Sequence, residues 1–242
     1  MNRPFLNNQH NVFLGTRALP CPYIPGQTER KVVTDLAVKE ASDLYDRLSR
    51  AGFRRSHSLA YKPACPNCSA CIPVRIKVEK FRYSKSFRQI INRNADFSSQ
   101  DMVAHATLEQ FKLFQRYQKT RHTGGEMELM GFHDYRAMIE DSPVDSRIIE
   151  FRQRTTDELK GVMLADRQAD ALSAVYSFYD ASERRRSLGT FMVLSLILQA
   201  IKTKTPYIYL GYWVEESPKM SYKTRFKPVE VFRSGTWQEL QS

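Results

Sequence analysis

Three cysteines fall within seven residues, Cys65, Cys68 and Cys71, in a Cys-x2-Cys-x2-Cys array stiffened by Pro66 and Pro73. Closely spaced thiolates of this kind suit a zinc ion or an iron–sulfur cluster when a fourth ligand arrives from elsewhere. Cys21 is the remaining cysteine and hence the candidate fourth ligand. Small buried hydrophobes or redox-active thiols are the other reading, whereas a disulfide framework does not suit a cytosolic chain. None of the thiols has a His–Asp partner nearby in sequence, which argues against a cysteine nucleophile. The histidines at 10, 57, 105, 122 and 133 are scattered and compose no Ser-His-Asp set. Any catalysis here is expected to rest on positioning and hydrogen bonding.

A second chemical signal is charge. The chain carries 37 Lys and Arg against 26 Asp and Glu, a formal net charge of +11. Between Arg47 and Arg93 twelve basic residues meet a single acid, Glu79, so the whole excess lies in that segment. Phe53, Tyr61, Phe81, Tyr83 and Phe87 are interleaved with it. A basic stretch with aromatic faces suits a phosphate backbone, although a solvated basic surface would look the same. The candidate polyanion contacts are Arg54, Arg55, Lys62, Arg75, Lys77, Arg82, Lys85 and Arg88.

These residues need elements to hold them. Leu36 to Leu48 has helical spacing and Gly52 follows as a stop; an extended run covers 53–61. Val74, Ile76 and Val78 alternate with charged residues as a strand, and a short basic helix fits 86–94. Thr107 and Gln110 resemble a capping box, opening a helix whose apolar face carries Leu108, Phe111, Phe114 and Tyr117. A short helix fits 132–139. Strands are predicted over 147–151, 159–165 and 172–179, followed by an apolar helix over 189–201 and a strand over 207–213. Ser217-Pro218 suits a helix start, and 229–232 and the surroundings of Trp237 would supply the last strands. The organisation expected is a basic, Cys-bearing module over 1–100 and an α/β domain over 101–242.

The composition, with 42% hydrophobic and 12% aromatic residues, is that of a folded domain and excludes disordered and collagen-like classes. Residues 191–201, the longest apolar stretch, are too short to span a bilayer, and Met1–His10 lacks an apolar run for a signal peptide. A soluble, cytoplasmic protein with no membrane partner is expected.

Three strands, the loop Asp180-Ala-Ser-Glu-Arg-Arg-Arg-Ser-Leu-Gly-Thr190, an apolar helix and another strand resemble the centre of the GNAT acyltransferase fold. Gly189 and the loop arginines at a helix start would suit an anion. The loop lacks the glycine-rich pattern typical of acetyl-coenzyme A users, which points away from that donor. A larger resemblance covers most of 15–235. Cys21-Pro-Tyr-Ile-Pro-Gly-Gln-Thr-Glu-Arg-Lys31, Arg50-Ala-Gly-Phe-Arg-Arg-Ser56 and Tyr61-Lys-Pro-Ala-Cys65 through Arg75 resemble the N-terminal module of arginyl-tRNA–protein transferases. Ser187-Leu-Gly-Thr-Phe191, Tyr209-Leu-Gly-Tyr212 and Ser217-Pro-Lys-Met-Ser-Tyr-Lys-Thr-Arg-Phe-Lys-Pro228 resemble the C-terminal one. The short length and the Cys-Pro-Tyr-Ile-Pro-Gly element are similar to the bacterial aspartate/glutamate leucyltransferase branch.

That resemblance implies a GNAT-like α/β (α+β) fold and a defined reaction. Leucine would pass from leucyl-tRNA to the α-amino group of proteins beginning with Asp or Glu, marking them for degradation. Arginine as donor is the nearest alternative; a non-catalytic RNA-binding protein with a zinc module is another, and a coenzyme A-dependent acetyltransferase a third. The basic residues named above become the expected tRNA contacts. Tyr176, Tyr179 and Tyr212 are the expected catalytic phenols, with Arg184, Arg185, Arg186, Gly189, Lys219, Tyr222 and Lys223 binding substrate. The chemistry requires no cofactor. The eukaryotic arginyl enzymes carry a paired Cys motif near the start, where this chain has Cys21 alone.

Overall fold

A computed structural model describes residues 11–241; Met1–His10, including His10, lie outside the described residues. The strands are β1 Leu14–Gly15, β2 Leu19–Pro20, β3 Thr28–Glu29, β4 Lys31–Asp35, β5 Arg54–Ser56, β6 Leu59–Pro63, β7 Ile72–Lys77 and β8 Phe97–Val103. They continue with β9 Ser146–Gln153, β10 Leu159–Arg167, β11 Ala171–Tyr179, β12 Tyr207–Trp213, β13 Val229–Arg233 and β14 Thr236–Glu239. The α-helices are α1 Ala41–Arg50, α2 Lys85–Arg93, α3 Leu108–Arg121, α4 Phe132–Glu140 and α5 Leu188–Lys202.

Eight strands form one mixed sheet in the order β14-β13-β7-β12-β11-β10-β9-β8. Period-two alternation gives it two buried faces. Ile149, Met163 and Ala165 pack with α2 and α5, while Ile148, Val162 and Leu164 pack with α3 and α4. Helix α5 starts without a side-chain cap, at Ser187 in the left-handed region. It buries Leu188, Met192, Val193, Leu194, Leu196 and Ile197. At about 1.5–3 kcal/mol per large apolar side chain, burial outweighs the missing cap. Helix α3 does begin with the expected box, Gln110 N–H to Thr107 Oγ1 and Thr107 N–H to Gln110 Oε1. Its buried face differs from the expected one: Leu108 is exposed, and Gln110, Leu113, Phe114 and Gln118 point inward.

A smaller sheet, β1-β4-β6-β5, carries α1 through Leu36, Leu44, Tyr45, Leu48 and Ala60. The boundary expected near residue 100 does not separate two sheets. Strand β7, from the N-terminal half, lies between β12 and β13 inside the large sheet, and α2 packs on it beside α5. Val74 and Ile76 are nearly fully buried there, so β7 is an interior strand where the alternation had predicted a half-exposed one. The segment Pro218–Arg225 winds as a 3-10 helix with no side-chain cap from Ser217, correcting the expected capped start. Otherwise the elements follow the expected order, including the three antiparallel strands, crossover helix and parallel strand.

The feature that makes a site is a split in the sheet. Strands β11 and β12 pair in parallel only at Ala171–Ser173 with Tyr207–Tyr209, then part company. Both carry irregularities at that point, β10–β11 shifting register at Leu164/Ala165 and β12–β7 at Tyr209/Gly211. Bulges sharpen the local twist and turn the strands apart. Residues 174–177 are consequently only half-buried in the middle of an eight-stranded sheet.

Candidate active site

The open edge of β11 faces a cluster of phenols. Tyr179 lies 5.0 Å, ring to ring, from Tyr117 on α3, and Gln118 Nε2 donates to Tyr176 Oη at 2.7 Å. His122, where α3 ends, lies 5.4 Å from Tyr117, ring to ring, in a tilted contact. Burial pushes the Tyr117 phenol far up, neighbouring phenols adding to the effect; burial raises Tyr176 and Tyr222 likewise. These groups therefore stay protonated at neutral pH. They can donate hydrogen bonds to a developing oxyanion and cannot act as ready bases. His122 is pushed down by burial and by the charges of Lys219 and Arg121, keeping the imidazole neutral. Tyr117, Gln118 and His122 were not among the sequence candidates. Tyr117 reads as one more member of an apolar helix face, and only the packing of α3 across β11 turns it toward the opening.

The remaining candidates divide. Tyr179 covers the start of α5: a Cβ at Gly189 would stand 3.1 Å from its Cε1, so Gly189 admits the ring. Tyr212 is pinned elsewhere, its hydroxyl 3.0 Å from both the Gly52 and Tyr61 carbonyl oxygens, which corrects its assignment as a catalytic phenol. Arg186 forms a two-pronged pair with Asp96 (2.7 and 2.9 Å) and so anchors the loop. Arg184 and Arg185 are exposed, as is Lys219 near His122. Tyr222 and Lys223 lie on the 3-10 segment; the Lys223 side chain is buried and donates to the Tyr212 carbonyl.

The expected tRNA contacts also divide, because charge summed along a segment says nothing about which way each side chain points. Arg55 is fully buried and paired with Asp166 through Nε (2.8 Å) and Nη2 (2.7 Å), so it is a structural residue. Arg75 pairs with Glu230 at 2.6 Å and stacks between Tyr207 and Trp237. Lys62 donates to the Ala51 carbonyl and sits over Phe53 and Phe232; burial lowers its pKa. Arg54 is drawn into the sheet opening. Carboxylates neutralise Arg55 and Arg75, and Arg54 and Lys62 are turned onto backbone carbonyls. Lys77 is half-buried near Glu79. Arg82, Lys85 and Arg88 are exposed and have no acidic partner among the described residues. They continue through Arg93, which donates to the Arg185 carbonyl, into the arginine loop before α5. The basic surface thus runs along α2 to the site.

The four cysteines come together around one pocket of about 70 Å³, with Tyr23, Tyr61 and Tyr212. Backbone N–H groups of Ile24 and Arg30 point at the sulfurs of Cys21 and Cys65, 3.4 Å each. Burial, with the other three thiols adding to it, pushes Cys71 up to about 11. Among the described residues, however, no three His, Cys, Asp or Glu side chains are arranged as a metal-ligand set. A wider groove of about 910 Å³ adjoins the thiols, between the Cys loop, Val214–Glu216 and the β13–β14 turn. It lies away from the phenol cluster, and its size alone assigns it no chemistry.

Comparison with known proteins agrees with this architecture. Residues 19–89 match the family model for the N terminus of arginine-tRNA-protein transferase, and residues 109–233 match that for its C terminus. An aspartate/glutamate leucyltransferase of Paramagnetospirillum magneticum is 54% identical over 93% of this chain and 92% of its own. One of Gluconacetobacter diazotrophicus is 51% identical over 95% and 88%. Among solved structures, L-PGS from Bacillus licheniformis superposes with a TM-score of 0.52 at 12% identity, over 70% of this chain and 58% of that one, a likeness of fold. No helix among the described residues is long and apolar enough to cross a membrane. With both family models matched in order and half the residues shared with named relatives, the chain belongs to the arginine-tRNA-protein transferase family and is an aminoacyltransferase.

Proposed function

We propose that this enzyme moves leucine from leucyl-tRNA to the α-amino group of proteins whose first residue is Asp or Glu. The observation that carries the reading is the split between β11 and β12, an opening edged by neutral phenols and approached along a basic helix. The relatives named for leucine transfer support the choice of donor.

In chemical terms the α-amine attacks the ester carbonyl of the aminoacyl-tRNA. A C–N bond forms, the C–O bond to the terminal ribose breaks, and the amine's proton ends on the released ribose hydroxyl. An α-amine with a pKa of about 7.7–8.0 is partly neutral near pH 7, so no strong base is required. Holding amine and ester together lowers the barrier, and the protonated Tyr176 and Tyr222 can donate toward the oxyanion. The tRNA would lie along Arg82, Lys85, Arg88 and Arg93, its acceptor end reaching Arg184 and Arg185.

The test is transfer from leucyl-tRNA and from arginyl-tRNA to peptides beginning with Asp, Glu, Lys or Ala. Leucine on the Asp and Glu peptides alone is the expected result. Arginine transfer would overturn the donor, and RNA binding without transfer would overturn the reaction.

A further inference from the structure

Arg54 and Lys223 are two basic side chains inside the sheet opening with no carboxylate partner among the described residues. Arg54 reaches in from β5, and its Nη2 donates to the carbonyls of Ala174 (2.8 Å) and Val175 (3.3 Å), where β11 loses its neighbour. Its Nη1 is buried and bonded to nothing. Gly211 makes room for it: φ is +81° there, and a Cβ would stand 2.8 Å from the Arg54 Cζ. Lys223 gives one proton to the Tyr212 carbonyl and keeps two donors. Burial, aided by the Arg54 charge, pushes Lys223 down to about 7.

Buried cations without counter-charge are costly, and a fold retains them where an anion completes the set. The groups that feel Arg54 are neutral phenols. Tyr23 is pushed up to about 12 by burial, Tyr222 is raised likewise, and the Arg54 charge partly offsets both shifts. Tyr23 and Tyr212 line the pocket of about 70 Å³ beside the cysteines, which neither Arg54 nor Lys223 lines. With Arg54 Nη1 and the Lys223 side chain both buried, the pair is too enclosed for a phosphate backbone, and the exposed Lys85 and Arg88 lie elsewhere, on α2.

We propose that Arg54 and Lys223 together bind the side-chain carboxylate of the acceptor's first residue and thereby make the transfer specific for acidic N-termini. This rests on the proposed function. The anion would bridge Nη1 and Nζ, leaving the α-amine of the same residue a few bonds away, beside the open edge of β11. An Asn or Gln side chain would leave the Arg54 charge uncompensated and give Lys223 no reason to hold its proton, and discrimination follows from that difference.

The test is competition between two peptides differing only in Asp or Asn at position 1, with limiting leucyl-tRNA. Their ratio of transfer is independent of how much enzyme is folded. The parent is expected to favour Asp, and Lys223→Met to lower the ratio by about tenfold or more. Arg54→Lys should lower it too, by loss of the fixed fork. In both, KM for leucyl-tRNA should stay within about twofold of the parent. Fluorescence anisotropy with labelled peptides reads the same Asp/Asn ratio in a variant too slow to assay. Asp and Asn losing in equal proportion would overturn the assignment. A raised KM for leucyl-tRNA with an unchanged ratio would instead give the pair to a donor phosphate. Failure of the parent to transfer leucine at all would overturn the function itself.

Discussion

Breaking the Arg55–Asp166 pair should damage the fold and spare tRNA recognition. Both side chains are completely buried. Arg55 Nη1 also donates to the His57 carbonyl at 2.8 Å, and the Ser146 hydroxyl donates to Asp166 Oδ1 at 2.6 Å. Burial lowers the Arg55 pKa, yet Asp166 more than compensates, so the pair stays ionised. Since Arg55 belongs to β5 and Asp166 to β10, the pair fastens the small sheet to the large one. Removing one partner strands a buried charge, for which about 3–5 kcal/mol is typical. In a chain of this size that is a drop in Tm of roughly 6–20 °C, at about 2–4 °C per kcal/mol. Arg55→Met and Asp166→Leu should each show it in thermal and urea unfolding followed by circular dichroism. The double variant should recover much of the loss, because no charge is then stranded. KM for aminoacyl-tRNA at low temperature should be unchanged in all three. A single variant losing less than about 1 kcal/mol, or a raised KM in a fully folded Arg55→Met protein, would refute the reasoning.

Other perturbations separate the basic surface, the opening and the loop. Replacing Lys85 and Arg88 by Glu should flatten the salt dependence of tRNA binding by about 0.7–0.9 in log–log slope per lost phosphate contact, measured by filter binding; an unchanged slope would remove α2 from the tRNA path. Gly211→Ala should displace Arg54 and strain a left-handed backbone, costing about 1 kcal/mol or more in urea unfolding and most of the transfer rate. The hydrogen bonds from Arg186 hold the Asp96 carboxyl below the usual range, against an opposing effect of burial. Because the folded pKa is the lower one, the stability Asp96 contributes is present above its unfolded value of about 3.9 and is lost as pH falls through the folded pKa. The stability gap between parent and Asp96→Asn should therefore be constant at neutral pH and close in acid. A gap that instead widens on acidification would contradict the pairing.

Much of this molecule was legible in its sequence. Periodicity located α1, α2, α5 and the run β9–β12, and Thr107 with Gln110 marked the start of α3. Local patterns could not show long-range placement: nothing in Val74, Ile76 and Val78 announces that β7 will sit between β12 and β13. The site followed the same rule. The phenols of β11 were visible as residues, but Tyr117 became a neighbour only through the crossing of α3 over the sheet. The basic segment misled for a related reason. Arg54, Arg55 and Arg75 raise its charge as much as Lys85 and Arg88 do, yet their carbonyl and carboxylate partners lie on strands more than a hundred residues away.

The central claim is that the α-amine of an acidic N-terminus receives leucine from tRNA. The most direct measurement is tandem mass spectrometry of a peptide beginning with Asp after incubation with purified enzyme and leucyl-tRNA, alongside the same peptide acetylated at its α-amine. The account expects one leucine in peptide linkage ahead of Asp and no product from the acetylated control. Leucine attached elsewhere, or modification of the acetylated peptide, would contradict it.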